Sequence, residues 1–380
     1  TLFFELSYLC NIKTRQMTVQ DVCHSMETWA PLSWQESYDN AGLLCGSRNQ
    51  TVRGVLISLD CTEAVVQEAI EKGCNMIVAH HPIVFKGLKS LTGKDYVERT
   101  MILAIKNDIA IYASHTNLDH APQGVSFHLA KKLGLMNGQV LRPFKQALKQ
   151  LSYFVPTESA TKTREAIHAA GAGNIGNYSE CSFSQTGTGR FTPNELANPT
   201  IGSAKKAEKV NEEQVQVIFP AHLEKGVLAA LFQAHPYEEV AYFVTSLDNT
   251  WNEVGSGYVA ELPHAMDADQ FSKHLKQSLG LSHFRHTAWL GRPIQRIAVC
   301  GGAGSFLLGD AMKAGADVFI SGDFKYHEFF DAENHCTICD IGHYESEVMI
   351  KDAIHAYLSN NFSTFAVLKS MTNSNPVSYA

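Results

Sequence analysis

Met76-Ile77-Val78-Ala79-His80-His81-Pro82 reads as a short buried strand that stops on two histidines. An apolar run of this length bounded by a breaker is a strand signal. Pro82 cannot donate to a sheet ladder, so the strand ends before it. Neighbouring side chains on a strand point to opposite faces, so His80 and His81 are placed to serve two different ions rather than to grip one together. The carboxyl end of such a strand is where open α/β sheets bind ligands. By itself the dipeptide reads better as an ordinary pair of histidines at a turn.

Working outward, Val55-Leu56-Ile57-Ser58-Leu59 is a second strand. Thr62 is placed as the N-cap of a helix that runs to Lys72 and is stopped by Gly73. Strand, helix and strand make a βαβ unit. Upstream, Val19, Val22, Cys23 and Met26 give a helical stripe between Thr18 and Ala30, and Tyr38 to Gly46 is turn-rich. Downstream, a helix over about Val97 to Asn107 precedes the strand Ile109 to Ala113. That strand runs into Ser114-His115-Thr116-Asn117-Leu118-Asp119-His120, and another helix follows over about Val125 to Leu133.

The late chain repeats this plan. Ile297-Ala298-Val299, a helix to Lys313, Gly315 and Val318-Phe319-Ile320 match the early landmarks at an offset near 242, with Asp323 as the counterpart of His81. Thr337 to Ile341 is a further strand, ending in Gly342-His343-Tyr344-Glu345-Ser346-Glu347, and helical periodicity follows over Val348 to Leu358. His115 and Asp119 are four apart, as are His343 and Glu347. These matches point to an internal duplication.

A separate repeat lies between the two halves. Pro156 and Pro220 are 64 apart, as are Tyr178 and Tyr242, and each half reads strand, helix, loop, strand. Two such halves predict a βαββαβ, ferredoxin-like α+β unit. The polar stretch Ser182 to Gly202 is expected to be a long hairpin or loop. The predicted fold class is therefore α/β: a split, internally duplicated core carrying an inserted ferredoxin-like domain. The expected boundaries are an N-terminal appendage over 1–16, core over 17–148, insert over 149–251, core over 252–370 and a tail over 371–380.

At 380 residues, 45% of them hydrophobic, the chain can bury more than one core. Its net charge of −7 disfavours nucleic acid as a partner. No apolar run of membrane-spanning length occurs. The nine scattered cysteines suggest free thiols in a reducing, cytoplasmic setting. Cys336-Thr337-Ile338-Cys339 matches C-x-x-C without a second pair, so strand packing is favoured over metal or redox use.

His80, His81, Asp119, His343 and Glu347 collect as candidate metal ligands. Their mixed nitrogen and oxygen set suits Zn, Fe, Mn, Co or Ni better than Ca or Mg. His343 and Glu347 share a helix face if a helix begins at His343. Two ions about 3.5 to 4 Å apart need a bridging carboxylate, for which Asp119 and Glu347 both qualify. Such a pair holds a hydroxide at neutral pH, and hydrolysis is its natural chemistry. A structural ion site remains open on these residues alone. His115 is a candidate catalytic proton shuttle, a further ligand or an outer hydrogen-bond donor. Lys325 to Glu328 either line a pocket or start a helix, and His235-Pro236-Tyr237-Glu238-Glu239 is expected to be a loop.

Asp39-Asn40-Ala41-Gly42-Leu43, Ala79-His80-His81-Pro82, His115-Thr116-Asn117-Leu118-Asp119 and Gly342-His343-Tyr344-Glu345-Ser346-Glu347 together resemble the NIF-three-like family. The likeness spans about Met17 to Leu368 and includes Gly176 to Cys181 and His235 to Glu239. It implies a split α/β core with an inserted CutA- or PII-like domain, ring-shaped homohexamers, and two divalent metal ions per chain on those same five positions. Members carry a GTP cyclohydrolase I type 2 label, which implies hydrolytic opening of a heterocyclic C–N bond. No phosphate-cradling loop is present to specify a triphosphate. The family's name implies a protein partner, so a non-enzymatic metal-handling or regulatory role through the insert is the alternative.

Overall fold

The computed structural model describes residues 16–145 and 147–378. Most of the predicted appendage, residues 1–15, lies outside them. The chain forms two compact units, one from residues 1–142 and 253–380, the other from residues 143–252.

In the first unit, α1 (Val19–Trp29) buries Val19, Val22, Cys23 and Met26, the stripe read from the sequence. Then come β1 (Gly42–Cys45), β2 (Gly54–Ser58), α2 (Glu63–Glu71), β3 (Met76–Ala79), α3 (Tyr96–Lys106) and β4 (Ala110–Ala113). Thr62 caps α2 by accepting from the Val65 amide. Two helices follow, α4 (Thr116–His120) and α5 (Val125–Lys132), and then β5 (Met136–Lys145).

The second unit holds β6 (Leu148–Pro156), α6 (Ala160–Ala169), β7 (Phe183–Phe191), β8 (Glu208–Pro220), α7 (Glu224–Ala234) and β9 (Tyr242–Ser246). Its antiparallel sheet runs β7-β8-β6-β9. Tyr153, Phe219, Leu231 and Ile167 fill the core between sheet and helices. The polar stretch expected as a hairpin or loop supplies β7, whose nine residues pair with β8 from Phe183↔Gln216 to Phe191↔Glu208. The backbone ladder holds this strand although most of its side chains face water, which is why hydrophobic patterning does not announce it.

The chain returns through β10 (Thr250–Met266), α8 (Ala268–Leu279), β11 (Arg285–His286), β12 (Ile294–Ala303), α9 (Leu308–Lys313), β13 (Val318–Gly322), β14 (Thr337–Asp340), α10 (His343–Glu347), α11 (Ile350–Asn361) and β15 (Ala366–Lys369). Residues Tyr326–Ala332 form a 3₁₀ helix. Cys336 and Cys339 are free and buried against the sheet.

The first unit thus contains two sheets, ordered β1-β4-β3-β2-β15 and β11-β14-β13-β12-β10-β5. The first has four adjacent parallel strands, β4-β3-β2-β15, and the second three, β14-β13-β12. Of these, β2, β3, β4, β13 and β14 are buried throughout, as parallel strands covered on both faces must be. Leu56, Ile77 and Ile111 pack one core; Ile297, Val318 and Ile320 another. Full burial of each such side chain stabilises by about 1.5 to 3 kcal/mol.

Register decides where the site lies. Ser58 pairs with Ala79, and Ala79 with Ala113, so β2, β3 and β4 end level. Ser321 pairs with Asp340, and Ala303 with Gly322, so the second set ends level as well. Asp60, His80, His81 and His115 leave the first edge; Asp323 and His343 leave the second.

Candidate metal centre

The two strand edges meet in one cavity of about 770 Å³. The structure brings all five predicted ligands together there, along with His115. His80 is fully buried and Glu347 is 2% exposed. His81, His115, Asp119 and His343 are partly open to the cavity.

All four imidazoles are held the same way. Nδ1 of His80 donates to the Ser114 carbonyl at 2.8 Å. Nδ1 of His81 meets Asp60 Oδ1, that of His115 meets Asp39 Oδ1 and that of His343 meets Asp323 Oδ2, each at 2.7 Å. A partner on Nδ1 leaves Nε2 as the inward-facing atom, the arrangement that orients metal-ligating histidines.

The inward atoms converge on two carboxylates. His80 Nε2 stands 3.6 Å from Asp119 Oδ1 and 3.8 Å from Glu347 Oε1. His81 Nε2 and His343 Nε2 stand 2.9 and 3.1 Å from Glu347 Oε2. These approaches lack hydrogen-bond geometry: His80 Nε2, Asp119 Oδ1 and Glu347 Oε2 are buried with no hydrogen-bond partner. Orphaned polar atoms at this depth are costly in a protein, so a cluster of them facing one point fits a cation. Among the described residues, three groups have ligand atoms close enough for an ion: His81, His343 and Glu347; His80, Asp119 and Glu347; and His80, His81 and His115. The first two share Glu347, one oxygen toward each.

The electrostatics of the bare cluster match this. Burial draws His81 down, but contacts with Asp60 and Glu347 outweigh it and lift the imidazole to about 10. His343 is lifted to about 9 against burial, chiefly by Glu347. Burial, with His81 and His115 close by, holds His80 below its usual value against the pull of Glu347. Burial and the Glu347 charge raise Asp119 well above the usual carboxylate range. Burial would raise Glu347 too, but His343, His80 and His81 keep it well below that range. The cluster therefore holds protons where an ion would sit, and binding an ion releases them.

Local backbone makes this fit. Gly342, at φ 93°, turns β14 into α10 so that His343 and Glu347 lie one turn apart. Gly302, at φ 63°, passes so near that a Cβ there would stand 2.3 Å from Glu347 Oε1. Its amide donates to Ser346 Oγ at 2.8 Å and fixes α10 against the end of β12.

Sequence reading left Asp39 and Asp60 without a role. Asp60 does follow a strand end directly, which is a usable signal; Asp39 sits in a turn and reads as turn chemistry. Burial would raise Asp39, but His115 and Thr116 outweigh it and hold it at about 2. Within the expected tail over 371–380, Asn375, Pro376 and Val377 line the cavity. Ser374 Oγ donates to Asp60 Oδ2 at 2.5 Å. In the second unit, His235 Nε2 donates to the Phe154 carbonyl and its Nδ1 accepts from the Tyr237 amide, which gives that motif a structural role.

The sequence profile of the family Duf34/NIF3 (NGG1p interacting factor 3) matches residues 17–376, and the chain belongs to this family. A Bacillus subtilis protein named GTP cyclohydrolase 1 type 2 homolog is 36% identical over 95% of this chain and 98% of its own length. One of the same name from Halalkalibacterium halodurans is 37% identical over 95% and 98%. Among solved structures, a Bacillus cereus protein related to NIF3 is 38% identical with a TM-score of 0.85, over 96% of this chain and 100% of that one. A Staphylococcus aureus protein is 30% identical with a TM-score of 0.76, over 96% and 99%.

Proposed function

We propose that this member of the Duf34/NIF3 family is a metal-dependent hydrolase whose centre would hold two divalent ions. His81 and His343 would serve one, His80 and Asp119 the other, and Glu347 both. The observation that carries the reading is the common orientation of the imidazoles, every Nδ1 held and every Nε2 turned inward. The donor set suits Zn, Fe, Mn, Co or Ni. Ions bound there supply Lewis acidity and activate water for hydrolysis near neutral pH. His115, oriented by Asp39, is placed beside the cluster to pass a proton to a leaving group. The relatives' names support a heterocyclic C–N bond as the target.

Elemental analysis of the purified chain, coupled to a hydrolysis screen on heterocyclic compounds, tests this. Two ions per chain with turnover supports it; metal-replete protein that turns over no member of the screen rejects the hydrolase reading. A second reading, metal handling or regulation, draws support from the second unit. Its element order and its sheet order β7-β8-β6-β9 are those of a ferredoxin-like module, and we read it as one. We likewise read the two parallel arrays as an internal duplication. The homohexamer implied by the family likeness is checked by light scattering on the full chain.

A further inference from the structure

The same cavity carries information about charge that the hydrolase reading does not use. Seven carboxylates line it against one guanidinium, Arg285, and no lysine. Asp119 and Glu347 belong to the ion cluster. Asp60 and Asp323 hold histidines. Asp340 pairs with Arg285, the one fixed cation on the lining among the described residues. That leaves Glu345 and Glu36 on the lining with no lysine or arginine beside them among the described residues, the basic group nearest Glu36 being the buried His120 imidazole at 3.6 Å. Two divalent ions together with Arg285 still leave the lining negative. Glu345 is further fixed by Asn375, whose Nδ2 donates to it at 3.0 Å.

The apolar part of the lining is aromatic and open. Tyr38, Phe85 and Phe306 are 63%, 45% and 53% exposed. Tyr38 and Phe85 lie 6.2 Å apart, and Phe85 meets His115 edge-on at 5.9 Å. Rings standing beside the candidate proton-transfer group give a flat ligand a surface to stack on. Carboxylates around such a surface attract positive charge and repel phosphate, most strongly where water is excluded.

We propose that the cavity selects a planar heteroaromatic ligand that is uncharged or cationic, and rejects nucleoside triphosphates. Tyr38 and Phe85 form the stacking wall, and Glu36 and Glu345 set the charge preference. This rests on the hydrolase reading for its chemistry, but the selectivity is a property of the wall and is measured separately.

The test is equilibrium binding of proflavine, a planar cationic acridine, to the full-length metal-loaded protein, with GTP as competitor and metal content determined on the same sample. The expected result is one saturable proflavine site per chain that GTP does not displace. Tyr38→Ala and Phe85→Ala should each weaken it by about tenfold. Glu36→Gln with Glu345→Gln should weaken it and flatten its salt dependence. Failure of proflavine to bind, displacement by GTP at lower concentration than proflavine itself, or indifference to the aromatic variants overturns the proposal. Loss of metal with the binding pattern intact counts against the hydrolase reading alone.

Discussion

Nε2 of His81 lies 3.3 Å from Nε2 of His343, although 262 residues separate them in the chain. Each ring has its Nδ1 on a carboxylate, so these two nitrogens meet with Glu347 between them and nothing else to bind. The two halves of the first unit are joined at this point by polar atoms that only a proton or a cation satisfies.

His81→Ala and Glu347→Ala should abolish stoichiometric metal while the chain stays folded. Elemental analysis beside circular dichroism checks this. Two retained ions per chain in both variants would refute the ligand assignment.

Removing the outer carboxylates should have a graded effect. Asp60→Asn and Asp323→Asn leave every ligand in place but free the rings, and metal affinity should fall about 10- to 100-fold. Ser374→Ala should act in the same direction and more weakly, since it touches only Asp60. Competition with a chromogenic chelator gives the numbers.

Gly302→Ala should behave as a ligand mutation although residue 302 is no ligand. The new methyl group would displace Glu347 and would sit at a positive φ, itself costing about 1 kcal/mol. Metal affinity is expected to drop at least as far as in Asp60→Asn, with the melting temperature of the metal-free chain only slightly lowered.

His115→Ala is expected to keep both metals. On any substrate found in the screen it should lose about 10²- to 10⁴-fold in rate. Loss of an ion would instead make His115 a ligand.

Acid should release the C-terminal segment. Glu68 accepts from Ser370 Oγ, from the Met371 and Thr372 amides and from Thr372 Oγ1. Burial would raise its carboxyl, but Lys72 and these donors outweigh burial and hold it at about 2. A folded value below the unfolded one means the stabilisation is complete above the usual carboxylate range and is lost as pH falls toward 2. Hydrogen exchange at residues 370–372 should therefore accelerate on acidification. Glu68→Gln should show the fast exchange at neutral pH, with a cost of about 1 to 3 kcal/mol.

What could be read in advance follows from which forces leave a trace in sequence. The buried strand ending at Pro82 and the stripe of α1 are written in apolar spacing, and the spacing of His343 and Glu347 translates directly into a helix turn. Strand β7 is held by its backbone ladder, and its exposed Ser, Gln and Thr side chains carry no such trace. The pairings of Asp60 with Ser374 and of Asp39 with His115 link residues far apart in the chain and become visible only once the sheets are assembled. The acidic lining is equally hidden, because its carboxylates come from separate loops.

The span between His81 and His343 also sets an order of events during synthesis. Ribosomes extend a chain at about 5 to 20 residues per second, so His81 emerges about 10 to 50 s before its opposite number. Through that interval the nascent protein presents three histidines and Asp119 to the cell's free cations without Glu347 to close the cluster. A cation met then would find an incomplete set of donors. The full cluster would form only once His343 and Glu347 have emerged.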